Sequence, residues 1–141
     1  MNLKVFIDTN VFLDSYLKRD KGVSQSVFDF LEIRDVDIYL NDISIINIAY
    51  IIKKHFSKEE IQEKINLIIE TYSIVPANQE IIMLANNSTF TDFEDGVQYF
   101  CAKSVQAELI ITDNLKDYKH SDIRVISAKD FYEGYIRGVA K

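Results

Sequence analysis

Leu3-Lys4-Val5-Phe6-Ile7-Asp8-Thr9-Asn10 is a short apolar run that stops on an acid. Its β-branched and aromatic residues predict a strand over Leu3 to Ile7. The near-continuous apolar character is that of a strand covered on both faces. The same figure returns late in the chain, where Leu109-Ile110-Ile111 is followed at once by Thr112-Asp113-Asn114.

Between these two runs, helical and strand periods alternate. Val23, Val27, Phe30 and Leu31 recur at helical spacing. Val36 to Leu40 reads as a second strand. Ile43 to Lys54 is too long and apolar for a strand and is expected to be a buried helix. Ser57-x-x-Glu60 is a capping box before a helix carrying Ile61, Ile65, Ile68 and Ile69. Tyr72 to Val75 is a third strand, stopped by Pro76. Asn78 caps a short helix to about Asn87, and Thr91-x-x-Glu94 is a second capping box, opening a helix to about Val105. Leu109 to Ile111 and Ile123 to Ile126 are the last strands. Ser127 caps a final helix to about Ile136. Strands alternating with helices predict an α/β fold with a parallel sheet. Ligands of such sheets bind beyond the carboxyl ends of the strands, so the residues just after each strand carry the information.

The chain has 141 residues, which fits one domain over 1–141. One cysteine excludes a disulfide framework. No leader or membrane-spanning segment is visible, so a cytoplasmic location is expected. Against 16 Lys and Arg stand 22 Asp and Glu, a net charge of −6, which excludes nucleic-acid binding driven by bulk positive charge.

The acids are not evenly spread. Asp8 follows strand 1, Asp113 follows strand 4, and Asp92, Glu94 and Asp95 open the helix that leads into strand 4. If strands 1 and 4 are neighbours, these carboxylates meet. Such a cluster raises its own pKa values unless a cation sits within it. Mg²⁺ or Mn²⁺, which take oxygen ligands, would relieve that repulsion. His55, His120 and Cys101 lie away from these motifs, so zinc is not expected. No Gly-rich phosphate loop and no hydrolase triad is present.

Four blocks resemble the PIN domain family, which includes VapC-type toxins: Phe6 to Leu13, Asp42 to Tyr50, Asp92 to Tyr99 and Leu109 to Tyr118. They fall in the family's order. The resemblance implies a three-layer α/β/α sandwich with a five-stranded parallel sheet of order 3-2-1-4-5. It implies a Mg²⁺- or Mn²⁺-dependent endoribonuclease that leaves a 5′-phosphate and a 3′-hydroxyl. It also implies the toxin half of a toxin–antitoxin pair, with a cognate antitoxin partner and a homodimeric state. Carried over by position, Asp8, Asp95 and Asp113 are the catalytic and metal-holding acids, with Asn114 the rival of Asp113. Thr9, Asn10, Asp92, Glu94 and Thr112 support them. Asn47 stands where the family has a second acid. Lys18, Arg19, Lys53 and Lys54 are the candidate grips for RNA phosphates.

Two other readings compete. Asn47 suits a catalytically degenerate module of the same fold that binds RNA or protein. A phosphotransfer domain using Asp8 lacks a second acid two residues on, where Asn10 stands, and the acid pair of receiver domains.

Overall fold

Val5, Phe6 and Ile7 are fully buried, and successive side chains enter opposite cores: Val5 and Ile7 one, Phe6 the other. A strand sealed on both faces is the physical reason for its unbroken apolar run. The computed structural model describes residues 2–138; the ends of the expected 1–141 domain, Met1 and residues 139–141, lie outside the described residues. Strands β1 (Leu3–Ile7), β2 (Val36–Asn41), β3 (Ser73–Val75), β4 (Leu109–Ile111) and β5 (Arg124–Ile126) form one parallel sheet in the order β3-β2-β1-β4-β5. Val5 pairs with Ile38 on one side and Leu109 on the other, and Ile7 pairs with Ile111. The expected α/β/α architecture and strand order are the ones observed.

Helices α1 (Thr9–Tyr16), α2 (Val23–Glu32), α3 (Asp42–Ile52), α4 (Lys58–Thr71), α5 (Gln79–Asn86), α6 (Phe93–Ser104) and α7 (Ala128–Phe131) connect the strands. The last continues as a π-helical segment over Tyr132–Arg137. Val11, Phe12, Val27, Leu31, Ile48, Ile52, Ile68 and Phe131 fill the core beside Val5 and Ile7. Ile81, Ala85, Val97 and Cys101 fill the core beside Phe6 and Ile110. Burial pushes the Cys101 thiol up to about 12, so it packs as a small apolar group rather than reacting. Gly96 lets α6 lie close on α5: a Cβ there would stand 3.3 Å from Phe90 Cβ and 3.4 Å from Ala85 Cβ. Among the described residues no helix is long and apolar enough to cross a membrane.

Local expectations succeed and fail for identifiable reasons. The Ser57–Glu60 capping box forms with both reciprocal bonds. The box expected at Thr91 does not: Asp92 is the N-cap of α6, its Oδ1 accepting from Asp95 N at 3.0 Å. Two overlapping cap signatures compete there, and the carboxylate is the better cap for the positive end of the helix. Glu94 is thereby freed from capping. Tyr72 is not in β3; it ends α4 and packs its ring edge against Phe12 at 5.6 Å between centroids. The Ile43–Lys54 run is a helix but not a buried one: Ile46 is 68% and Tyr50 64% exposed. An apolar run without polar interruption has no period from which to read the covered face.

Candidate active site

The strand order reverses between β1 and β4, and Asp8 sits at that switch point. Its backbone N–H closes the ladder on Ile111 O at 3.0 Å. The chain then turns into α1, with Asp8 as the N-cap. The side chain is only 3% exposed. Oδ1 accepts from Thr9 N at 2.7 Å, and Oδ2 accepts from Thr112 Oγ1 at 2.7 Å and Tyr118 Oη at 3.5 Å. Burial pushes the Asp8 carboxyl up to about 6 despite these donors, and the charge of Glu94 adds to the effect.

Asp95, in the first turn of α6, reaches the same place and is 6% exposed. Burial, then the charges of Asp8, Asp92 and Asp117, push its carboxyl up to about 8. An open cleft of about 380 Å³ lies over the two acids, lined also by Thr9, Asn10, Asn47, Asp92, Glu94 and Asn114. Among the described residues no Lys, Arg or His lines it. Asn47, on α3, donates from Nδ2 to Glu94 Oε1 at 3.4 Å.

Asp113 is the exception among the expected acids. It does not line the cleft; Asn114 does. Although Asp113 is exposed overall, partial desolvation and a hydrogen bond with Asp14 push its carboxyl up to about 6. The reason is local: Asn114 N bonds Thr112 Oγ1 at 3.1 Å, and Asp113 N lies 3.4 Å from Asn10 Oδ1. This turn sends adjacent side chains different ways. Asp117, in the 3-10 turn Leu115–Tyr118, supplies charge toward Asp95 instead.

The basic residues divide. Arg19 and Lys54 line a neighbouring cavity of about 440 Å³ with Tyr50 and His55, and Ile51 borders both this cavity and the acidic cleft. Arg19 Nε also pairs with Asp14 Oδ1 at 2.9 Å. Lys53 Nζ stands 4.1 Å over the Tyr50 ring. Lys18 is exposed and held at φ 53° in the turn after α1.

Three groups escape the sequence reading. The Tyr118 hydroxyl touches Asp8, but a lone tyrosine in a loop carries no local signature. Ser44 Oγ lies 2.6 Å from Thr9 Oγ1, and Gln98 Nε2 donates to Ser44 Oγ at 2.9 Å. Gln98 is one helical turn past Asp95, and Ser44 one turn before Asn47. A polar residue repeating a functional face one turn deeper is the signal that could have found them.

The donor set can be tested against a metal. Among the described residues no group of three or more His, Cys, Asp or Glu side chains is disposed to hold an ion by itself. Mg²⁺ ordinarily takes one or two protein carboxylates and keeps its waters or binds substrate phosphates. The paired, uncompensated Asp8 and Asp95, with a neutral amide beside them, fit that demand.

The sequence matches the PIN domain family over residues 4–116. It is 27% identical over 136 residues to "Ribonuclease VapC1" of Aquifex aeolicus (strain VF5), covering 92% of this chain and 94% of that protein. The fold is similar to that of VapBC2 from Rickettsia felis bound to a DNA fragment from their promoter. The TM-score is 0.68 at 15% identity, covering 89% of this chain and 98% of the other. A toxin–antitoxin complex from Klebsiella pneumoniae gives a TM-score of 0.66 at 18% identity, covering 88% of this chain and 97% of that one. At such identities the structural likeness speaks for the fold alone. The match over residues 4–116 takes in most of the chain, including Asp8 and Asp95, and the chain belongs to the PIN domain family.

Proposed function

We propose that this chain is a Mg²⁺- or Mn²⁺-dependent endoribonuclease acting as the toxin of a toxin–antitoxin pair. One observation carries the reading: Asp8 and Asp95 are buried together under a cleft without a compensating cation side chain. A divalent ion bound there would supply activation of water and neutralisation of charge on the scissile phosphate. Asp8 and Asp95 would hold it. Thr112 and Tyr118 donate their hydroxyls to Asp8 Oδ2, and Thr9 N–H donates to Oδ1, which together fix the carboxylate. Glu94 and Asn47 wall the cleft where substrate enters, and Thr9, Asn10, Asp92 and Asn114 complete its lining. Arg19 and Lys54, with Lys18 and Lys53 nearby, grip the RNA backbone beside the cleft. The expected products carry a 5′-phosphate and a 3′-hydroxyl.

The similarity to VapC1 and to proteins solved as toxin–antitoxin complexes supports an antitoxin partner. The homodimer is proposed from the family resemblance. The test is incubation of purified protein with single-stranded RNA in Mn²⁺ or in excess chelator. Cleavage in Mn²⁺ that is absent in chelator and in Asp8→Asn supports the proposal; cleavage by Asp8→Asn at the wild-type rate overturns it. A silent binding module is favoured by the amide of Asn47 in place of a carboxylate. It predicts RNA binding with no cleavage under any metal.

A further inference from the structure

We propose that the cavity between α3 and α6, walled by Phe93, Asn47, Val97 and Gln98, is a subsite for one unpaired nucleobase of a single-stranded RNA. It is a second cavity, of about 300 Å³, and it shares Asn47 and Glu94 with the acidic cleft. That volume is at the lower end of cavities that hold small planar ligands.

Three features of the wall suit a base rather than a phosphate. Phe93 opens α6 and lines the cavity while remaining 51% exposed, so an aromatic side chain is available at its wall. Bases of single-stranded RNA stack on such rings and are hydrogen-bonded along their edges by amide side chains. Asn47 offers an amide whose present bond, to Glu94, is long at 3.4 Å. Gln98 is 1% exposed, and its Oε1 has no hydrogen-bond partner. Its Nε2 is engaged with Ser44 Oγ at 2.9 Å and Thr9 Oγ1 at 3.5 Å, so the unpaired atom is the oxygen of a buried carboxamide whose residue walls the cavity. A buried acceptor without a partner is costly, and an N–H donor brought to it would supply what is missing. Among the described residues the wall carries no Lys, Arg or His, so no cationic side chain there favours a phosphate.

The aromatic and amide cavity adjoins the acidic cleft through Asn47 and Glu94, and the cavity of Arg19, Lys54 and His55 adjoins it through Ile51. One nucleotide can then seat its base beside Phe93 while the adjoining backbone crosses Asp8 and Asp95. This subsite rests on the ribonuclease reading, and the experiment separates the two.

The probe is a fluorescently labelled single-stranded RNA hexamer, compared with versions carrying one abasic residue at each position in turn. Binding to the full chain is followed by anisotropy in Mg²⁺, and cleavage of the same oligomers in parallel. For wild type, one abasic position should weaken binding by about 5- to 150-fold, the range of base–aromatic stacking. Phe93→Ala should bring the intact hexamer to that weaker level and make it indifferent to the abasic position, while Phe93→Trp keeps the preference. Wild-type binding unaffected by every abasic position, Phe93→Ala binding like wild type, or no RNA binding at all each overturns the subsite. Phe93-dependent binding without Asp8-dependent cleavage sinks the ribonuclease reading and leaves the subsite standing.

Discussion

Asp8 is a carboxylate held against its own preference. Thr112 and Tyr118 donate to it, but burial still leaves it with a raised pKa beside Asp95. Removing one donor exposes how much of this is positioning. Thr112→Val deletes the 2.7 Å bond in a completely buried setting and should cost about 1–3 kcal/mol of stability. It should also weaken metal binding about 10- to 100-fold, as loss of an outer-shell partner does. Chemical denaturation and Mn²⁺ titration of the variant check the two effects. Asp113→Asn, by contrast, removes a carboxylate that points toward Asp14 and not into the cleft. Its Mn²⁺ affinity should stay within about twofold of wild type, and a larger loss would return Asp113 to the site.

Element boundaries decide which acids are available for chemistry. Because Asp92 and not Thr91 caps α6, Asp92→Ala should cost about 1 kcal/mol in urea denaturation and Thr91→Ala almost nothing. The reverse order would restore the Thr91 capping box. The strands were legible because β1, apart from Lys4, and β4 are apolar, and each is followed at once by a polar residue, Asp8 or Thr112. The topology predicts Asp8 and Asp113 at neighbouring strand ends, and Asp95 comes from the start of α6 and the family resemblance. Asp8 and Asp95 line the cleft and Asp113 does not, since a turn of two adjacent polar residues has no period to say which one faces inward. The covered face of α3 was illegible for a related reason: in Ile43-Ser44-Ile45-Ile46-Asn47-Ile48 nearly every position is apolar. Tyr118, Ser44 and Gln98 join the site only through tertiary contacts, which no local pattern encodes.

At the scale of the whole molecule, the net charge of −6 becomes a statement about stability as well as binding. Asp8 and Asp95 have folded-state values of about 6 and about 8 against an ordinary 3.8. Between pH 4 and 8 the unfolded chain therefore holds fewer protons at these sites than the folded one, and stability falls as pH rises. Metal-free protein should lose several degrees of Tm from pH 5 to pH 8. Mn²⁺ should restore most of the loss at pH 8 and little at pH 5, because it binds the ionised, folded site. A Tm independent of metal at pH 8 would contradict this. Under the ribonuclease proposal, RNA binding would work against the same excess of acid and so lean on few cations. Lys54→Ala should lower the salt dependence of RNA affinity by about one unit of log–log slope, measured by anisotropy over a salt series.

The central claim is that Asp8 and Asp95 together hold one catalytic divalent ion. It is tested most directly by calorimetric titration of Mn²⁺ into metal-free protein at pH 7.5, for wild type, Asp8→Asn and Asp95→Asn. The account predicts one site with millimolar or tighter affinity in wild type that is lost in both variants, each still folded. Equal Mn²⁺ binding by wild type and either variant, or no binding by wild type, would contradict it.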